Sequence, residues 1–168
     1  MIIQYGPYPP PYGGISIYIK RFKNKLDEKN YKNRLLTTNK IAKKNENILY
    51  IRFKFLPFFF LFKHNIKIVH YNITGVRSKL KIGFLNKYLT SSKIKKVLTI
   101  HGDTSRLFGK STDKKLIKFL NTFSAIICVR KDDDKILRNK GVKSKISVIP
   151  AFIPPTPDET DIKQLPGI

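Results

Sequence analysis

Short apolar runs rich in Ile and Val alternate along this chain with longer stretches of helical spacing. The runs predict strands at Met1–Ile3, Arg34–Thr37, Ile48–Phe53, Ile66–Tyr71, Lys96–His101, Ala125–Val129 and Ile146–Ile149. Several are continuous rather than alternating, as suits strands of a parallel sheet with both faces covered. The spacing between them predicts helices at Ile15–Glu28, Ser78–Thr90, Asp113–Asn121 and Asp132–Asn139. Strand and helix in repeated succession is the pattern of an α/β protein with a doubly wound, Rossmann-like parallel sheet. Asp132, Asp133 and Asp134 suit the electropositive first turn of the last helix better than a metal site, and Gly141 is placed to stop that helix.

The first strand runs into a loop, residues 5–14, of sequence Tyr-Gly-Pro-Tyr-Pro-Pro-Pro-Tyr-Gly-Gly. Its prolines stiffen it, because each fixes φ and restricts the residue before it. Gly13 and Gly14 then open the first helix. Strand, Gly-Gly turn and helix start together form a receptor for phosphate: glycine lets backbone approach the anion, and the helix N-terminus offers unpaired N–H groups. The alternative is a tight turn with a purely structural purpose.

Composition narrows the class. At 168 residues and 41% hydrophobic, the chain is large enough for one core-bearing domain without covalent staples. Its single cysteine, Cys128, lies in an apolar run and reads as a small core residue in a reducing compartment. A thiolate metal site is excluded, and no metal or other cofactor is expected. The N-terminus carries no secretory signal pattern, and Leu56–Phe62 is too short an apolar stretch to span a bilayer. A cytoplasmic protein is expected.

The net charge of +23, from 34 basic and 11 acidic residues, admits three readings: nucleic acid, an anionic membrane face, or the Lys/Asn/Ile bias of an AT-rich genome. The basic residues are scattered and mostly Lys, and no base-reading motif is present. That favours compositional bias with attraction to the inner face of a membrane over specific nucleic-acid binding. Phe58, Phe59 and Phe60 read as core, with insertion at a membrane interface as the alternative.

Other chemistry-bearing residues are fewer. His101 ends the run Val97–Ile100, at the carboxyl end of a strand, where open α/β sheets bind ligands. An imidazole there suits a hydroxyl, a phosphate or a sugar; the alternative is a histidine that merely caps the loop. Residues 109–112, Gly-Lys-Ser-Thr, suggest a P-loop, but the nest needs a glycine five residues before Gly109, and that position is Thr104. His64 and His70 have no ligand partners at fixed spacing and read as surface or loop residues. Asn72-Ile-Thr74 matches a glycosylation sequon by chance in a chain with no secretory signal. From Ile149 the chain turns proline-rich and aperiodic, as a linker leaving the sheet.

Several of these stretches resemble, in order, the N-terminal domain of family 4 glycosyltransferases, the retaining two-domain GT-B enzymes. They are residues 9–22 (Pro-Pro-Pro-Tyr-Gly-Gly-Ile-Ser-Ile-Tyr-Ile-Lys-Arg-Phe), Val97–Gly102, Ser124–Val129 and Lys145–Pro150. The resemblance implies transfer of a sugar from a nucleotide-sugar donor to a cell-envelope, polysaccharide or lipid-linked acceptor. It implies that Gly13 and Gly14 approach the donor diphosphate and that His101 sits beside the reacting sugar as the catalytic candidate. It also implies that this domain mainly holds the acceptor. Arg130-Lys131 stands where the family usually has Ser. The expected organisation is a Rossmann-like domain over residues 1–149 and an interdomain linker with the start of a further domain over 150–168. A second, nucleotide-binding half supplied by another chain is a partner this organisation calls for, and the isolated chain is expected to be inactive. The competing class is a non-catalytic basic binding module for anionic membrane or nucleic acid.

Overall fold

The computed structural model describes residues 1–10, 12–37, 47–50, 65–73, 93–108 and 114–150. Seven strands are present: β1 Ile2–Tyr5, β2 Asn33–Thr37, β3 Ile48–Tyr50, β4 Ile68–Ile73, β5 Lys95–Ile100, β6 Ala125–Cys128 and β7 Lys145–Val148. All pair in parallel, in the order β3-β2-β1-β4-β5-β6-β7. Each matches a strand expected from the apolar runs, within two residues at the ends inside the described range. The order runs one way from β1 through β2 to β3 and the other way from β4 to β7. The reversal puts a topological switch point between the carboxyl ends of β1 and β4, where such sheets open a crevice.

Among the described residues four helices accompany the sheet: α1 Gly14–Glu28, α2 Ser105–Phe108, α3 Lys114–Leu120 and α4 Asp133–Asn139. The single turn of α2 was not expected, since four residues carry no readable period. Asp103 makes it: its Oδ1 accepts hydrogen bonds from the Ser105 backbone N–H (2.9 Å) and hydroxyl (2.6 Å). The helix expected at Ser78–Thr90, the Phe58–Phe60 cluster, His64, Gly109–Thr112, Thr74 of the sequon and the chain after Pro150 lie outside the described residues.

The parallel register sorts the sheet into two unlike faces. Ile3, Tyr5, Val69, Tyr71, Ile73, Leu98, Ile100, Ile126 and Cys128 share one face with Leu107 of α2, Leu116 and Leu120 of α3 and Leu137 of α4 in a single apolar core. Each fully buried Leu or Ile there contributes about 1.5–3 kcal/mol. Burial pushes the Cys128 thiol up to about 12, helped by the charges of Asp133 and Asp134, so it is an inert core residue as expected. The other face lies under α1. Its apolar cluster is small, Tyr18 and Ile19 on Leu35 and Ile48, and beside it Gln4, His70, Asn72 and Thr99 are all buried polar side chains. His70, expected at the surface, is instead a central residue of β4 with 4% of its surface exposed.

The helices α1 and α4 end with the same backbone device. At the end of α1, Tyr31 N–H reaches Leu26 O and Asn30 N–H reaches Asp27 O, with Asn30 at φ 57°. At the end of α4, Val142 N–H reaches Leu137 O and Gly141 N–H reaches Arg138 O, with Gly141 at φ 86°. Asn and Gly are the residues that take this left-handed position cheaply, so Gly141 ends its helix as expected. The aspartate triplet is subtler than a simple cap. Asp132 holds the N-cap position without a side-chain cap bond, whereas the buried Asp133 accepts the Thr104 N–H at 3.4 Å.

Gly6, just past β1, lies against Ile19 of α1 and Asn72 of β4. A Cβ there would stand 2.5 Å from Ile19 Cδ1 and 3.3 Å from Asn72 Cβ. Ile19 is wholly buried and has no room to retreat. Gly6→Ala is therefore expected to cost about 1–3 kcal/mol in urea denaturation followed by circular dichroism. Gly14→Ala, whose added Cβ meets nothing within 4 Å, is expected to leave stability unchanged or raise it by up to about 1 kcal/mol.

Candidate functional site

The loop after β1 reaches α1 through Gly13, which is extended (φ −164°, ψ 162°) and caps the helix. Ser16 braces the turn from inside: its Oγ accepts the Gly13 N–H and donates to the Gly13 carbonyl, both at 2.9 Å. Gly13 and Gly14 themselves are exposed, and neither has the positive φ that would require glycine. The fold thus leaves the space around Gly14 open. The first turn of α1 presents N–H groups that have no partner within the helix, and no acidic side chain occupies that turn. The dipole there favours an anion.

One helical turn on from Gly14, about 6 Å along the axis, Tyr18 packs edge-on against His101, with ring centroids 4.6 Å apart. His101 is the first residue past β5; its backbone N–H donates to Ile73 O of β4 at 2.8 Å. Its Nε2 lies 2.9 Å from Asn72 Oδ1, and the Asn72 amide nitrogen donates to Tyr5 O of β1 at 3.4 Å. His101 is half-buried and Asn72 is 5% exposed. Gly13 and Gly14 thus stand at the start of α1 and His101 at the end of β5; Tyr18, one turn into that helix, is the residue of α1 that contacts the histidine.

Behind this pair lies a second polar group. His70 Nε2 stands 2.6 Å from Thr99 Oγ1, and Thr99 also shares a hydrogen bond with Tyr18. Phe22 of α1 closes over His70 edge-on at 5.3 Å. Burial pushes His70 down to about 4, with a further push from neighbouring His101, and burial also pushes His101 down to about 4. Both imidazoles are neutral at neutral pH. Tyr18 is raised by burial, partly offset by its bond to Thr99.

Asn72, Tyr18, Thr99 and His70 were not singled out as site residues from the sequence. A signal existed, since Ile68, His70 and Asn72 alternate with Val69, Tyr71 and Ile73 and so share the α1 face of β4. On the neighbouring loop, Arg130 Nη1 lies 3.7 Å from Asp103 Oδ2, an exposed pair that links the ends of β5 and β6. Among the described residues, no group of three His, Cys, Asp or Glu is placed to hold a metal ion. Among them, too, no helix is long and apolar enough to cross a membrane.

A family model described as Glycosyltransferase Family 4 matches residues 12–156, most of the chain. The chain belongs to that family. Comparison with curated proteins finds no match. Family 4 membership and the seven-stranded parallel sheet agree, since a Rossmann-like α/β domain is half of the GT-B arrangement expected from the sequence. As a glycosyltransferase family 4 domain, the chain is tied to chemistry that joins a sugar donor to an acceptor. The match spans the Gly-Gly helix start, His101 and β7 alike.

The buried histidines make stability depend on pH with a definite sign. Between about 4, in the fold, and 6.5, for a free imidazole, the unfolded chain binds more protons than the folded one. Stability is therefore full above about pH 7 and is lost as pH falls from 6.5 towards 4. Thermal midpoints are expected to be flat above pH 7 and to drop across that window. A His70→Gln variant is expected to show a shallower drop than the unaltered chain.

Proposed function

We propose that this domain forms the acceptor-side wall of a retaining glycosyltransferase, which moves a sugar from a nucleotide-sugar donor to a glycan or lipid-linked acceptor. In this reading Gly13 and Gly14 meet the donor diphosphate and His101 lies beside the reacting sugar. The observation that carries it is the packing of Tyr18, one turn into the helix that Gly14 opens, against the strand-end His101, with the helix start itself left open. A helix start that favours an anion, and a neutral imidazole packed on the same helix through Tyr18, suit a ligand that carries both a diphosphate and a sugar. The neutral His101 suits hydrogen bonding to a hydroxyl better than charge neutralisation. The donor is a substrate, and no separate cofactor is invoked.

Residues 1–149 act as this domain, with the stretch from 150 as the link to a nucleotide-binding half. Transfer requires donor and acceptor held together between two walls, since positioning supplies much of the rate. The described residues form one sheet. The chain by itself is thus proposed to bind acceptor and turn over little. The charge of +23 favours work at an anionic membrane face on the cytoplasmic side, where lipid-linked acceptors are presented.

The test is an assay of the chain alone, and then with the product of the adjacent reading frame, against a panel of nucleotide sugars. Turnover is expected only in the mixture, and His101→Ala is expected to reduce it at least tenfold while leaving the thermal midpoint above pH 7 within a few degrees. Gly14→Ala, neutral for the fold, is expected to weaken donor binding. Acceptor-dependent turnover by the chain alone, abolished by His101→Ala, sinks the half-enzyme reading.

A further inference from the structure

Asn72 has a chemical role at this site that its position in a β-strand conceals. Its amide is held from two sides. The Tyr5 carbonyl, an acceptor, faces one end at 3.4 Å, and His101 Nε2 faces the other at 2.9 Å. A carbonyl can only accept, so the end turned to Tyr5 is the NH2 group and the end turned to His101 is the oxygen. The reverse orientation sets two acceptor oxygens against each other. With Asn72 Oδ1 as acceptor, His101 Nε2 carries the hydrogen and donates it. On a neutral imidazole the lone pair then resides on Nδ1. Asn72 is buried, its Cβ lies beside Gly6, and its two hydrogen bonds fix which way the amide is turned. Tyr18 blocks rotation of the histidine ring from the helix side.

We propose that Asn72 is a positioning residue that fixes His101 as the Nε2–H tautomer, so that Nδ1 accepts a hydrogen bond from a sugar hydroxyl. This rests on the reading of His101 as the residue beside the sugar, and it sharpens that reading. The ligand must offer a hydrogen at that point, so a hydroxyl fits and an unprotonated phosphate oxygen does not. A neutral imidazole whose Nδ1 is bare also has no proton there to give, so His101 orients substrate and does not act as a general acid.

The test uses the full chain, labelled with 15N at histidine, and needs no substrate. Imidazole correlation spectra at pH 7.5 are expected to show His101 with an observable Nε2–H and a bare Nδ1. In Asn72→Ala that proton is expected to exchange too fast to be seen. The titrating groups against His101 are Tyr18 on α1 and His70 on β4, while Asp103 in its own loop is engaged by Ser105 and Arg130, so an added carboxylate at position 72 dominates. Asn72→Asp, nearly the same shape, gives up the long bond to Tyr5 O and lowers stability, but is expected to keep the Nε2–H and raise the His101 titration midpoint by about 1–3 pH units. A wild-type His101 protonated on Nδ1, or an Asn72→Asp chain whose His101 titrates as in wild type, overturns the proposal. If Asn72→Ala fails to fold, the Asn72→Asp titration decides alone. Because the readout is spectroscopic, it stands or falls separately from the loss of turnover expected on His101→Ala.

Discussion

The close seat of α1 on the carboxyl ends of β1 and β4 controls everything at the open edge of this sheet. Gly6 permits it, because the space a Cβ would fill belongs to Ile19 and Asn72. Once the helix is that close, Tyr18 reaches His101 and Phe22 reaches His70. A helix standing farther out loses these ring contacts and lets water reach two imidazoles whose pKa values are held down by its exclusion. Geometry of the site and stability of the fold therefore share one contact.

The two faces of the sheet divide the labour. On one side, branched apolar side chains pack against α2, α3 and α4 and supply most of the hydrophobic free energy. On the other, the fold accepts buried Gln4, His70, Asn72 and Thr99, whose burial is costly unless hydrogen bonds compensate it. A face built for stability alone has no use for them. Of these, His70 and Thr99 satisfy each other across β4 and β5, and Asn72 bonds the His101 ring at the edge of the sheet. The loop between β5 and α2 is gripped from the far side as well, by Arg130 on Asp103 and by Asp133 on the Thr104 N–H. The exposed ion pair adds at most about 1 kcal/mol, so its effect is on the loop's direction more than on its stability.

Strands were legible because a parallel strand buried on both faces is written locally, as a short Ile/Val run bounded by polar residues. The placing of Gly13 and Gly14 at a helix start and of His101 at a strand end was legible for a related reason: such positions are facts of sequence order. Glycosyltransferase family 4 was legible from the succession of these segments. The helix α2 was not, because its one turn exists only through the side chain of Asp103.

Sequence order also says nothing of lateral neighbours. Order alone puts residues 72 and 101 on successive strands; it does not say that β4 lies beside β1, so that one amide bridges the Tyr5 carbonyl and the His101 ring. His70 shows the same limit, since a polar residue without a visible partner reads as exposed until a helix from another part of the chain is laid over it. Local pattern is set by each segment's own side chains and so survives in the one-dimensional record. Partnership across the sheet is set by strand order and by the depth at which α1 docks, and these exist only when the chain is folded.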